Sequence, residues 1–96
     1  MGSNGAGVKA PLEIVEKLWD KHNVDQEEVL EVFNSRPSFR FVKKGYREGE
    51  NVYAAMGRTE SGRYMIAFFV YKQNRQALII SARDMTQTER RRYERQ

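Results

Sequence analysis

The feature that most narrows what this chain can fold into is the run Tyr64-Met-Ile-Ala-Phe-Phe-Val-Tyr71, which is apolar or aromatic from end to end. A short run rich in aromatic and β-branched residues fits a strand covered on both faces, and such a strand lies inside a sheet. Its neighbours flank it in the chain. Asn51–Thr59 reads as a strand, Glu60-Ser61-Gly62 as a tight turn and Arg63–Lys72 as the second arm of a hairpin. Gln73-Asn74-Arg75 turns the chain again into Gln76–Asp84, a strand on the other side. An earlier strand begins at Ser38, where Phe39 and Phe41 alternate with Arg40 and Val42 ahead of the basic loop Lys43–Glu50.

Helices bracket these strands. Pro11 suits a first helical turn, and Leu12, Val15, Leu18, Trp19 and His22 recur at spacings of three and four, which predicts a helix from Pro11 to about His22 with those residues on one face. Asp25 and Glu28 have capping-box spacing and open a second helix, with Val29, Val32 and Phe33 as its buried stripe, ending near Asn34 before Pro37. Thr86 and Glu89 repeat that spacing and open a last helix, Gln87 to about Arg95, whose only apolar contacts are Met85 and Tyr93. The expected fold is α+β: two short N-terminal helices, a four-stranded antiparallel sheet and a C-terminal helix. Residues 1–10, rich in glycine, read as a loose tail, and residues 11–96 as one domain.

Composition excludes several kinds of chemistry. The 96 residues contain no cysteine and one histidine, so thiol nucleophiles, disulfides and multi-histidine zinc sites are ruled out, and no metal or cofactor is expected. No signal-like apolar segment opens the sequence and no run is long enough to span a bilayer, which points to the cytoplasm and away from membranes. The formal charge of +4 and pI near 9.6 favour anionic partners such as nucleic acid or an acidic protein surface.

Were the anionic partner an RNA to be cut without a metal, the chain would need a base for the 2′-hydroxyl proton, cations for the phosphorane and an acid for the departing 5′-oxygen. Strand alternation puts Arg83 on one face with Ala77, Ile79 and Ser81, at a strand end from which it can reach a sheet surface. Arg58 shares a face with Val52, Ala54 and Met56; it is either a phosphate ligand or an ordinary exposed turn residue. Two arginine forks on one sheet face would match phosphate oxygens. His22 is of the residue type that commonly transfers protons near neutral pH, and Lys21 could hold a phosphate; equally, both could simply complement a helix dipole. Glu89 is either a base or only the capping partner of Thr86. Arg90 and Tyr93 lie beside it on one helix surface, solvated or facing a partner.

The stretch Ala77-Leu-Ile-Ile-Ser-Ala-Arg-Asp-Met-Thr-Gln-Thr-Glu-Arg-Arg-Arg-Tyr93 resembles the ending of BrnT-family toxins. Val52-Tyr-Ala-Ala-Met-Gly-Arg-Thr-Glu-Ser-Gly-Arg63 is similar to that family's strand, Gly-Arg and turn. Lys21-His22-Asn23-Val24 followed by Glu28-Val-Leu-Glu-Val-Phe33 resembles its Lys-His-Gly-Val and the next helix. The matches run from about Lys21 to Tyr93 in the family's order. The chain departs from it in lacking the opening aromatic-Asp element and the Asn shortly before Lys-His, and in carrying Asn23 for glycine, a substitution the left-handed conformation tolerates.

This resemblance implies a RelE-like ribonuclease that cleaves mRNA, free or on the ribosome, and inhibits translation. It further implies a BrnA-like ribbon-helix-helix antitoxin as partner, with DNA contacted only through the antitoxin complex. Lys21, His22, Arg58 and Arg83 become the catalytic candidates, with Glu89, Arg90 and Tyr93 nearby and Lys43 and Lys44 as further RNA-binding candidates. Two alternatives stand beside it: a catalytically inactive RelE-like module that binds an antitoxin or RNA, and a non-catalytic RNA-binding protein using Phe39, Tyr46, Tyr53 and the Lys43-Lys44 loop.

Overall fold

The computed structural model describes residues 7–95. In chain order the elements are β1 (Val8–Lys9), α1 (Leu12–His22), α2 (Gln26–Asn34), β2 (Ser38–Lys43), β3 (Val52–Arg58), β4 (Tyr64–Tyr71), β5 (Ala77–Asp84) and α3 (Gln87–Glu94). They form an α+β fold around one five-stranded sheet of order β1-β5-β4-β3-β2. No helix among the described residues is long and apolar enough to cross a membrane.

The sheet corrects the four-stranded antiparallel expectation in one respect. Val8 and Lys9, inside the stretch read as tail, pair in parallel with Ala77 and Leu78, so the sheet has five strands and is mixed. Residues 1–6 of that expected tail lie outside the described residues. The hairpins agree with the sequence: β3 and β4 pair from Val52↔Val70 to Arg58↔Tyr64, and β4 lies between β3 and β5.

Helices α1 and α2 cover one face of the sheet, α1 on β5 and α2 on β3 and β4. The core on this side gathers Leu18, Val24, Val29 and Val32 against Ala55, Met65, Ala67, Ile79 and Ala82. α2 comes so close to β3 that only glycine fits at Gly57, where a Cβ would stand 2.5 Å from the Ser35 hydroxyl and 3.2 Å from a Val32 methyl. The other face carries a smaller cluster of Ala54, Met56 and Ile66, covered by Phe68, Met85 and Tyr93. β4 is thus buried from both sides, as its apolar run requires.

The stripe expected on α1 is corrected. Leu18 is buried and Ile14 packs on the core, whereas Leu12 and Trp19 face outward, Trp19 at 56 % exposure. Val24 explains the shift. Asn23 takes the left-handed conformation (φ 54°) and donates its N–H to the Trp19 carbonyl, which caps α1 and drops Val24 into the core. The α2 capping box formed as its spacing predicts, with Asp25 accepting from the Glu27 N–H and the Glu28 carboxylate accepting from the Asp25 N–H.

Arg63, at the turn into β4, ties these pieces together. Its guanidinium donates to both Asp84 carboxylate oxygens (2.6 and 3.2 Å), to Glu28 (2.9 Å) and to the carbonyls of His22 (3.0 Å) and Asn23 (2.9 Å). One side chain therefore fixes the end of α1, the start of α2 and the end of β5. Asp84, followed by Glu28, raises the Arg63 pKa above its ordinary value. Arg63→Lys keeps the charge but cannot reproduce the planar fork. It is expected to lower stability by about 2–3 kcal/mol in chemical denaturation, a figure kept modest because Asp84 is largely solvent-facing. A change within experimental error would show that the clamp does not hold these segments.

Candidate active site

The chemistry-bearing residues meet at the end of the sheet formed by the C-termini of β3 and β5 and the N-terminus of β4. Regular alternation does not put Arg83 there. β4 and β5 pair as Phe68↔Ser81 and Phe69↔Ile79, so Ile80 is an extra residue, a β-bulge. Ala77, Ile79 and Ala82 face the helices, while Ser81 and Arg83, opposite Phe68 and Ile66, are paired on the other face. This corrects the expected grouping of Arg83 with Ala77 and Ile79. Without the bulge the side-chain period of two would turn Arg83 toward the helices.

On the open face Arg83 lies over the Phe68 ring, 5.3 Å from its centroid, and is held by Glu89 of α3. Nη1 donates to Oε1 at 2.8 Å and Nη2 to Oε2 at 3.0 Å, and Nη1 also donates to the Asp84 carbonyl. Glu89 has the capping role as well: Oε1 accepts from the Thr86 N–H at 2.8 Å, and the Thr86 hydroxyl accepts from the Glu89 N–H. The Arg83 guanidinium, with help from Thr86, holds the Glu89 carboxyl down at about 2, and Glu89 in turn raises the Arg83 pKa. A carboxylate that acidic is a poor proton acceptor at neutral pH. Its geometry makes Glu89 the group that aims Arg83.

Arg58 and Arg90 meet on a residue the sequence did not single out. Their guanidinium carbons lie 4.6 and 3.9 Å from the centroid of the Tyr64 ring, and Tyr93 meets the same ring edge-on at 5.9 Å. The Tyr64 hydroxyl donates to Glu94 at 3.2 Å. Arg58 and Arg83 do share a face and a sheet end, but two interstrand spacings, about 10 Å, separate their strands.

Lys21 and His22 come round the end of the sheet. With Trp19, Asp20, Asn23 and Asp84 they line an open cleft that also takes in Arg83. Arg83 is common to the cleft and to the open face. Lys43 and Lys44 do not join this arrangement: Lys43 pairs with Val52, at the opposite end of β3 from Arg58, roughly 20 Å along the strand. Among the described residues no group of three or more His, Asp or Glu side chains is placed to hold a metal ion.

Sequence reasoning missed Trp19, Arg63 and Tyr64. Trp19 fitted the helical stripe, and its exposure beside the cleft follows only from how α1 is rotated. Tyr64 sits in the apolar run and looks like core. Arg63 carried a signal, since it follows a turn and heads the most buried strand, where an arginine needs partners.

A mixed sheet with two helices on one face and an arginine-rich, helix-flanked patch on the other defines a small α+β protein with a cationic surface. A family model described as "Ribonuclease toxin, BrnT, of type II toxin-antitoxin system" matches residues 15–89, and the chain belongs to that family. A search of curated proteins returned no match.

The Glu89 carboxyl has a folded pKa near 2 against an ordinary value of 4.5. Its contribution to stability is therefore complete above about pH 4.5 and is lost as pH falls from there through about 2. Melting temperature measured across this window is expected to fall less steeply in Glu89→Gln than in wild type. Parallel curves would mean that the Arg83–Glu89 pair contributes nothing.

Proposed function

We propose that this chain is a metal-independent endoribonuclease toxin that cleaves mRNA in the cytoplasm and so inhibits translation until a BrnA-like antitoxin neutralises it. The observation that carries this reading is the position of Arg83, shared by the cationic face and by the cleft containing Lys21 and His22. Family membership supplies the reaction class, a ribonuclease.

In this reading the scissile phosphate docks on Arg83. Three of the five Arg83 N–H bonds are taken by Glu89 and the Asp84 carbonyl, so two donors, on Nε and Nη2, stay available in a fixed orientation. Pre-aimed donors of this kind stabilise the phosphorane without reorganising. One of His22 and Lys21 takes the 2′-hydroxyl proton as that oxygen attacks phosphorus, and the other, in its protonated form, gives a proton to the 5′-oxygen as the P–O5′ bond breaks. The products are a 2′,3′-cyclic phosphate and a 5′-hydroxyl. Arg58 and Arg90, packed on Tyr64, bind the neighbouring backbone, and the exposed face of Trp19 gives a base a surface to stack on.

Inducing the chain alone in a bacterial host is expected to stop growth and fragment total mRNA. Arg83→Ala, folded by circular dichroism, is expected to do neither, with a rate loss on the order of 100- to 1000-fold. If wild type affects neither growth nor RNA, the inactive antitoxin-binding module becomes the better reading. Trp19→Ala is expected to raise KM, by the equivalent of about 1–3 kcal/mol, with kcat little changed. An unaltered KM would remove Trp19 from the RNA path.

A further inference from the structure

On the helix-covered side the two helices leave a broad part of the sheet bare. A groove of about 510 Å³ crosses it, and every strand contributes to its floor: Val8 of β1, Ala77 of β5, Tyr71 of β4, Tyr53 of β3 and Phe39 of β2, with Phe33 of α2 forming a wall. Its aromatic rings pack on one another, Phe33 with Phe39 at 6.3 Å and Tyr53 with Phe69 at 5.9 Å between centroids. Phe69 is buried beneath them and Phe33 and Tyr53 are half-buried, but the rim of the groove stays open, with Phe39 58 % and Tyr71 50 % exposed. Exposed aromatic rings side by side along an open groove offer an apolar partner a surface to bury.

Its shape and charge specify the occupant. From β1 to β2 the floor spans four interstrand spacings, about 19 Å, the length of a helix of about thirteen residues. A helix laid there would extend the layer begun by α1 and α2. The loops at the nearer sheet end carry Lys43, Lys44, Arg47, Lys72 and Arg75 against Glu48 and Glu50, of which Glu50 already holds Lys72 at 3.3 Å. None of the other four cations has an ion-pair partner among the described residues.

We infer that this groove receives an amphipathic helix of the antitoxin, its apolar stripe on the aromatic floor and an acidic face toward the Lys43, Lys44 and Arg75 rim. The inference rests on the reading that a protein antitoxin silences this chain. It assigns Lys43 and Lys44 to a protein interface, and it puts that interface on the opposite sheet face from Arg83 and Glu89. Apolar anchors in an aromatic groove with complementary rim charge would supply both affinity and partner selection.

The test uses the full isotope-labelled chain and two helix-constrained peptides of about fourteen residues with the same leucine stripe, one with glutamate and one with lysine on the polar face. The glutamate peptide is expected to shift the resonances of Tyr53, Phe69 and Tyr71 and leave those of Tyr64 and Arg83 in place. It should bind at least about tenfold more tightly than the lysine peptide, and Tyr71→Glu should lose about tenfold or more while Tyr71→Phe binds like wild type. Equal affinities, shifts centred on Tyr64, or no binding of the glutamate peptide overturn the proposal. Should Tyr71→Glu fail to fold, Lys43→Glu/Lys44→Glu, confined to exposed positions, decides the charge argument: it must reverse the peptide preference.

In cells, Tyr71→Glu is expected still to arrest growth but to escape relief by the co-expressed antitoxin, and full relief overturns the proposal. A wild-type chain that does not arrest growth defeats the nuclease reading instead, and the peptide titration still decides the groove. A chain that dimerises through this face, becoming monomeric in Tyr71→Glu, gives the groove to a second copy and overturns the proposal as well.

Discussion

The Arg63 guanidinium is the interaction on which the arrangement depends. Two short helices on a sheet could rest at many angles, because apolar contacts between them are non-directional. The bonds from Arg63 to the carbonyls of His22 and Asn23, to Glu28 and to Asp84 remove that freedom at one point. The last turn of α1 is thereby pinned to the end of β5, and Lys21 and His22 are brought to the same cleft as Arg83. The carbonyls of His22 and Asn23 at the end of α1 and the charge of Asp84 are answered by the same side chain. The cleft is therefore a consequence of a structural clamp, and the clamp itself carries none of the proposed chemistry.

A second constraint acts on the other side of the sheet. The bulge at Ile80 inverts the last residues of β5, which moves Arg83 from the packed face to the open one. Glu89 then fixes its direction through two hydrogen bonds, and Thr86 fixes Glu89. α3 has no buried residue of its own and is held at the sheet through Met85, Tyr93, this ion pair and the contacts of Arg90 and Glu94 with Tyr64. The same contacts that anchor the helix aim the arginine, so the last helix and the proposed phosphate site form together.

Much of this was legible in the sequence where the signal is local. The two capping boxes, Asp25 with Glu28 and Thr86 with Glu89, formed as their spacing dictates, and the uninterrupted run of β4 gave its central place. The family resemblance, carried by Lys21–Tyr93, agrees with the match over residues 15–89. What stayed hidden depends on pairing across the chain. Val8 and Lys9 are two residues in a glycine-rich stretch, with no periodicity to reveal a strand, and become one only because β5 offers a parallel edge. A bulge changes no residue type, so alternation counted from Ala77 misplaced the face shared with Arg83. Trp19 met the helical spacing of a core residue but was displaced by Val24, whose burial follows from the turn at Asn23.

The arrangement joins a pre-aimed arginine, a histidine and a lysine at one cleft, in a chain belonging to a family of ribonuclease toxins. In the proposed reaction these side chains promote attack by the neighbouring 2′-hydroxyl rather than by water. The most direct measurement is the chemistry of the RNA ends made when the purified chain is added to a translating extract. Attack by the 2′-hydroxyl is expected to leave 5′-hydroxyl ends, ligatable only after phosphorylation, opposite 2′,3′-cyclic phosphates. Fragments with 5′-phosphate ends, or RNA that stays intact, would contradict it.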